Sequence, residues 1–116
     1  MTTAQTALPK TLLSLEFLCQ AAECLKIMAH PVRLRIVDIL MRGRLPVNEI
    51  AGLCRIPPQQ ACEHLRLMRG HSLLTSRRRG REVYYEIASP RLPSLIRCIQ
   101  AGCKDKPEEP VVEKRA

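Results

Sequence analysis

The chain has 116 residues, a length that fits one folded domain. Hydrophobic residues make up 46% of it, but with no Trp, one Phe and two Tyr the core must be aliphatic, which argues against a pocket lined by aromatic side chains. Nineteen Lys and Arg against eleven Asp and Glu give a net charge of +8, which points to a polyanionic partner. No apolar stretch approaches the roughly 18 residues of a membrane span, and the N-terminus does not resemble a signal peptide, so we expect a cytoplasmic protein without a membrane partner.

Helical patterns fill the first two thirds of the chain. The segment Leu12–Met28 has no Pro or Gly and carries two apolar stripes, so we expect a helix packed between two surfaces, the second of them another subunit. Pro31 suits the first turn of a second helix that Gly43 ends. Two short helices follow, over Val47–Cys54 and Gln59–Arg69, and their tight connection predicts a helix-turn-helix.

The apolar period changes from 3.6 to 2 after the fourth helix. Residues 73–87 predict a β-hairpin, with a Gly80-Arg81 turn in which Gly80 supplies the positive φ. A last helix is predicted over about Leu92–Cys103. We therefore expect a mainly α fold with a small hairpin, in the order α-α-α-α-β-β-α. The folded domain spans residues 9–103, after a flexible N-terminus at 1–8 and before a disordered charged tail at 104–116.

Polar and basic residues cluster on the predicted fourth helix and on the hairpin. A helix fits the major groove of DNA, where Gln, His and Arg can bond to base edges. We expect base reading by Gln59, Gln60, Glu63, His64 and Arg66. Four arginines crowd the hairpin tip, where phosphates would relieve their mutual repulsion: Arg77, Arg78, Arg79 and Arg81. The alternative is that either set is simply a solvated surface.

Several segments resemble the ArsR/SmtB family of bacterial winged helix-turn-helix repressors. They are LKIMAHPVRLRIVDIL, NEIAGLC, QQACEHLRLMR and LLTSRRRGREVYYEI, which together cover roughly residues 25–103. The resemblance implies a homodimer built from the first and last helices, which binds an inverted-repeat operator in double-stranded DNA and is released by a metal ion or a thiol-directed signal.

Three features depart from the family pattern. Pro57, Pro58 and Cys62 occupy places where the family's recognition helix is usually Ser- or Thr-rich. The segment from Leu45 to Asn48 lacks the thiols of the family's third-helix metal site. The positions matching the last-helix zinc site lie near Ser89, Arg91, Gly102 and Asp105 and supply one ligand, so a zinc sensor of that kind is not expected.

Six cysteines without an export signal are expected to be reduced, and none forms a CxxC pair. Two CxxxxC pairs lie in the first and last helices: Cys19 with Cys24, and Cys98 with Cys103. Five residues turn a helix by about 140° and rise about 7.5 Å, so neither pair can chelate an ion within one regular helix. Ligands from a neighbouring helix could complete a site for a thiophilic ion such as arsenite, since soft thiolates suit a soft ion.

Other interpretations of these cysteines stay open. Oxidation to a disulfide or polysulfide link could replace the ion as the signal, or the cysteines could be small buried hydrophobes in a DNA-binding protein that senses nothing. No obligatory cofactor is expected. The chain shows no catalytic triad, paired catalytic carboxylates or phosphate-binding Gly loop, so we expect no enzyme, with a thiol oxidoreductase as the minor alternative.

Overall fold

Five helices and three strands make up residues 11–102, the part of the chain that the computed structural model describes. In chain order they are α1 (Leu15–Met28), α2 (Pro31–Leu40), β1 (Leu45–Pro46), α3 (Val47–Cys54), α4 (Pro58–Gly70), β2 (Leu74–Arg79), β3 (Glu82–Ile87) and α5 (Arg91–Gly102). The predicted mainly α fold with a small hairpin is confirmed. The predicted flexible segment at 1–8, the tail at 104–116 and Cys103 lie outside the described residues.

The first helix begins three residues later than predicted. Ser14 is its N-cap: the side-chain oxygen accepts a hydrogen bond of 3.1 Å from the backbone N–H of Phe17. The apolar stripe alone extends back to Leu12 and does not reveal this cap. Because a capping residue has extended backbone geometry, the helix starts at Leu15.

The second helix shows why a Pro at a helix start is favourable. Pro31 is its first residue, and the Nδ1 atom of His30 accepts a 3.1 Å bond from the N–H of Val32. The helix ends at Leu40, because backbone bonds from residue i to i−3 close a turn before Gly43.

The hairpin lies in a three-stranded antiparallel sheet of order β1-β3-β2. Arg79 pairs with Glu82 across the predicted two-residue turn, and Gly80 has the positive φ, 63°, that such a turn requires. The sequence did not predict β1, whose two residues pair with Tyr84 and Tyr85 of β3. A two-residue strand ending in Pro shows no alternation, and Pro is tolerated there because β1 is an edge strand.

The core is aliphatic apart from Tyr85, close to what the composition predicts. Every helix and both hairpin strands contribute to it through the buried residues Met28, Ile36, Val37, Leu40, Ile50, Leu65, Met68, Leu73, Leu74, Tyr85, Leu92 and Ile96. No polar or charged side chain in the described part is fully buried. Ala61, Leu65 and Met68 place α4 against this core by apolar packing.

Replacing Leu65 by alanine is expected to destabilise the protein by about 2–5 kcal/mol, because the side chain has no exposed surface and its loss leaves a cavity. Urea denaturation of the variant and the wild type would measure the difference. Leu67→Ala is the same change at a half-buried position of α4 and serves as the control. It should lower the free energy of unfolding clearly less than Leu65→Ala does. Equal losses would show that Leu65 is not a core residue.

One side of α1 packs on its own chain and another side does not. Met28 is buried, and Cys24 and Ile27 pack against the core. On the uncovered side, Leu15 is 79% exposed, Leu18 41% and Leu25 54%. Of the two packed surfaces predicted for this helix, the chain itself provides one. None of the helices in residues 11–102 is long and apolar enough to cross a membrane.

Candidate nucleic-acid interface

A tight connection sets α4 against α3. Arg55 ends α3 in the left-handed conformation, with φ 61° and ψ 42°, and its N–H bonds back to the carbonyls of Ala51 and Gly52. Pro57 is the extended N-cap of α4 and Pro58 its first residue, a place where the missing N–H costs nothing. This arrangement of two short helices is the predicted helix-turn-helix.

Four of the five predicted base-reading residues lie on the outer side of α4. Ala61, Leu65 and Met68 face the core, so the opposite side of the helix is turned outwards. The exposed candidates are Gln59, Gln60, Glu63 and Arg66. Their side chains are therefore free to contact a ligand laid along the helix.

The fifth candidate, His64, is half-buried and already bonded. Its Nδ1 accepts a hydrogen bond of 3.1 Å from Nε of Arg33, and its ring lies edge-on to His30 with 4.7 Å between ring centroids. Burial lowers the pKa of His64, and the positive charge of Arg33 and the neighbouring His30 lower it further, against a weaker opposite effect of Glu63. Nothing in the sequence indicates the contact between Arg33 and His64.

All four arginines of the predicted clamp are exposed at the hairpin: Arg77, Arg78 and Arg79 on β2, and Arg81 in the turn. Within residues 11–102 none of the four forms an ion pair with an acidic side chain. Glu82, which lies opposite Arg79, instead accepts a 3.1 Å bond from the Tyr84 hydroxyl, and that bond raises the pKa of Tyr84. The tip of the hairpin therefore carries uncompensated positive charge.

The start of α4 and the hairpin tip border one groove. Gln59 and Cys62 line it from α4, Arg81 and Val83 from the hairpin, and Asn48 from α3. In the middle of β2, the hydroxyl of Ser76 accepts a 2.9 Å bond from a terminal nitrogen of Arg69 on α4. The structure thus brings the predicted reading helix and the predicted clamp together, although nothing in the sequence spacing showed it.

The candidate sensor cysteines are spread over the two outer helices. Cys19 on α1 and Cys98 on α5 are exposed, whereas Cys24 is half-buried and lines a pocket with Glu23 and His71. No group of three His, Cys, Asp or Glu side chains within residues 11–102 is placed to hold a metal ion.

Two further cysteines lie in the helix-turn-helix. Cys54 on α3 is half-buried, and burial raises the pKa of its thiol against a smaller opposite effect of Arg35. A thiol with a raised pKa carries little thiolate near neutral pH, so it is a poor nucleophile and a poor metal ligand. Cys62 is half-buried at the groove described above.

Comparison with known proteins identifies relatives of the same kind. A family model described as a helix-turn-helix domain matches residues 28–77. The transcriptional repressor PagR of Bacillus anthracis is 39% identical over 79 residues, which are 67% of this chain and 79% of PagR. The transcriptional repressor SmtB of Mycobacterium tuberculosis is 32% identical over 81 residues, which span 70% of this chain and 60% of SmtB. These relatives are transcriptional repressors rather than enzymes.

Solved structures agree with this result. The crystal structure of PagR is 35% identical and superposes with a TM-score of 0.66, covering 75% of this chain and all of PagR (100%). The homodimeric winged helix-turn-helix domain of Mb0332 from Mycobacterium bovis, a possible ArsR-family regulator, is 27% identical with a TM-score of 0.68, covering 83% of this chain and 89% of that domain. The chain therefore belongs to the ArsR/SmtB family of winged helix-turn-helix transcriptional repressors.

Proposed function

We propose that this chain is a cytoplasmic, homodimeric repressor that binds an inverted-repeat operator in double-stranded DNA. The observation that carries the proposal is the groove between the start of α4 and the hairpin tip, where Gln59 and Arg81 lie on opposite sides. A helix laid in the major groove brings its outer side chains to the base edges, and phosphates flank that groove. The proposal assigns base reading to α4 and phosphate binding to the hairpin.

Electrostatics supports the assignment of phosphate binding to the hairpin. Four arginines lie within five positions of one another at the hairpin, Arg77, Arg78 and Arg79 on β2 and Arg81 in the turn, and none pairs with an acid in the described part of the chain. Like charges held so close repel one another, and a row of phosphates would remove that cost. Binding would release the counterions condensed on DNA, so it should weaken steeply as salt rises.

The uncovered side of α1 supports the dimer. Leu15, Leu18, Ala22 and Leu25 follow the i, i+3, i+7, i+10 spacing of a single stripe, and all four are exposed. An apolar stripe of this kind on a small domain is typical of a protein interface. Ile99 of α5 is also exposed, and the related Mb0332 domain is homodimeric. We therefore place α1 and α5 at the two-fold axis.

We propose that a thiol-directed signal releases the repressor from DNA, with a thiophilic ion such as arsenite as the first choice. The exposed thiols Cys19 and Cys98 lie on the two helices assigned to the dimer, so an ion bound there would act directly on its geometry. Because no described group of three ligands is preformed, the ion would need a ligand from the partner protomer or from Cys103.

Oxidation of the same cysteines to a disulfide or persulfide is the second candidate signal. The observation that favours it is the absence of a three-ligand group within residues 11–102, since an exposed thiol such as Cys19 or Cys98 can be oxidised without one. A third possibility, from another class, is a DNA-binding protein that senses nothing.

We expect a thiol-directed effector to lower the affinity for DNA by about 5- to 150-fold, the usual range of coupling between two sites. Fluorescence anisotropy of a labelled duplex would be measured with arsenite, zinc, cadmium, peroxide and polysulfide in turn. Cys98→Ser and Cys103→Ser should abolish the response, and Cys54→Ser, the control on α3, should keep it. If the wild type binds DNA but ignores all five, both sensing hypotheses are wrong.

A further inference from the structure

One side-chain cluster joins three helices. Nε of Arg33 on α2 donates a 3.1 Å bond to Nδ1 of His64 on α4. A terminal nitrogen of the same guanidinium donates a 3.0 Å bond to the backbone carbonyl of Ile27 near the end of α1. The ring of His30 also lies edge-on to the His64 ring, with an angle of 63° between the two ring planes. Because the guanidinium is bonded at two places, it holds the imidazole in one orientation.

The direction of the Arg33 bond decides where the proton of His64 lies. A guanidinium has donors and no acceptor, so the Nδ1 atom that it contacts must present its lone pair. A neutral imidazole carries a single N–H, which then has to be on Nε2. Burial and the charge of Arg33 both lower the pKa of His64, so the neutral ring is the form present near pH 7.

The position of His64 on α4 places the Nε2 proton near the outer side of the helix, which is the side proposed to contact DNA. His64 follows the exposed Gln60 by one helical turn and comes directly after the exposed Glu63. The half-buried ring therefore lies at the border between the outer side of α4 and the side packed on the chain. No hydrogen bond from its Nε2 atom to another described residue occurs.

We propose that Arg33 is a positioning residue for DNA recognition, which holds His64 as the Nε2–H tautomer and so presents a hydrogen-bond donor at the edge of the recognition helix. This inference rests on the proposed DNA binding. A donor pairs with N7 of a purine, O6 of guanine or O4 of thymine, and it cannot accept from the amino group of adenine or cytosine. Arg33 would thus act on base preference without touching DNA.

The tautomer can be measured on the free protein, without DNA. Long-range proton–nitrogen spectra of the wild type near pH 7 should show His64 protonated at Nε2 alone. Arg33→Met keeps an apolar stem but removes the donor, so it should give a mixture of tautomers and a higher pKa for His64. The control Arg42→Met, which removes an arginine paired with Asp38, should leave the His64 signals unchanged. A His64 ring protonated at Nδ1 in the wild type would overturn the proposal.

A double-variant comparison tests the link to DNA. The probe is a duplex that the wild-type protein selects from a random-sequence pool. His64→Ala should weaken binding about tenfold, since each protomer loses one hydrogen bond. Arg33→Met should weaken it by a similar factor, and the combined variant should lose no more than His64→Ala alone, because the two residues act as one unit.

The outcomes separate this inference from the proposed function. If the combined variant loses DNA affinity by the product of the two single-variant factors, Arg33 is not a positioning residue for His64. Unchanged affinity in His64→Ala, while the hairpin arginine variants lose affinity, would overturn the contact of His64 with DNA and leave the proposed function intact. Failure of the wild type to select any duplex would overturn the proposed function, and with it the role of His64 in DNA recognition.

Discussion

Replacing Arg78 and Arg79 with alanine is expected to weaken binding to every DNA sequence by about tenfold or more for each arginine that meets a phosphate. Both side chains are exposed on β2 and neither has an acidic partner within residues 11–102. The logarithm of the DNA-binding constant falls with the logarithm of the salt concentration, and each phosphate contact makes this slope steeper by about 0.9. The slope of the double variant should therefore be less steep by about 2 per protomer. Fluorescence anisotropy over a salt series would measure both quantities.

A matched control separates phosphate contact from general charge. Arg42→Ala with Arg44→Ala removes the same two charges, but those arginines lie far from the hairpin tip and pair with Asp38 and Glu86 at 3.8 Å each. This control variant should keep most of the DNA affinity of the wild type and most of its salt dependence. Equal losses in the two double variants would show that net charge, rather than the hairpin, binds the DNA.

A substitution on α4 should change DNA binding in a different way from a substitution on the hairpin. Gln60→Ala removes an exposed amide from the outer side of the helix. We expect it to relax base preference at one position and to leave the salt slope unchanged, because an amide neutralises no phosphate.

Leu18→Glu with Leu25→Glu is expected to convert the dimer into a monomer. The two leucines lie on the uncovered stripe of α1, where a pair of carboxylates would face their own copies across a two-fold axis. Exposed positions contribute little to the fold of the chain, so the monomer should stay folded. Binding to a two-site operator should fall about 100-fold or more, because the second half-site contact is no longer intramolecular.

Sedimentation or light scattering would give the mass directly. The wild type should have twice the chain mass of 13.1 kDa, and the double variant a single chain mass. Gln20→Glu, on the opposite side of the same helix, is the control and should remain dimeric. A variant that stays dimeric despite four buried carboxylates would place the interface elsewhere.

Local patterns were enough to predict most of the elements. The helix Val47–Cys54 was predicted with its observed bounds, since its apolar residues recur with helical spacing. The hairpin followed from the change of period and from Gly80, whose positive φ is observed. Such features are contained within a few residues of sequence, so no knowledge of the tertiary structure was needed.

Contacts between distant segments could not be predicted from those patterns. Arg33 and His64 are 31 positions apart, and neither residue type indicates which partner it will meet. The pocket that Cys24 and His71 both line depends on where the fold places α1 relative to the residue that follows α4. Packing decides both, so the sequence identified His64 as a candidate but not the bond that orients it.

Selection from a random-sequence duplex pool shows whether two copies of this chain read DNA through α4 and the hairpin. We expect enrichment of an inverted repeat whose half-sites are centred about 10 base pairs apart or a multiple of that, because two recognition helices related by a two-fold axis enter successive major grooves on one face of the duplex. Recovery of no motif, or of a motif without two-fold symmetry, would contradict this expectation.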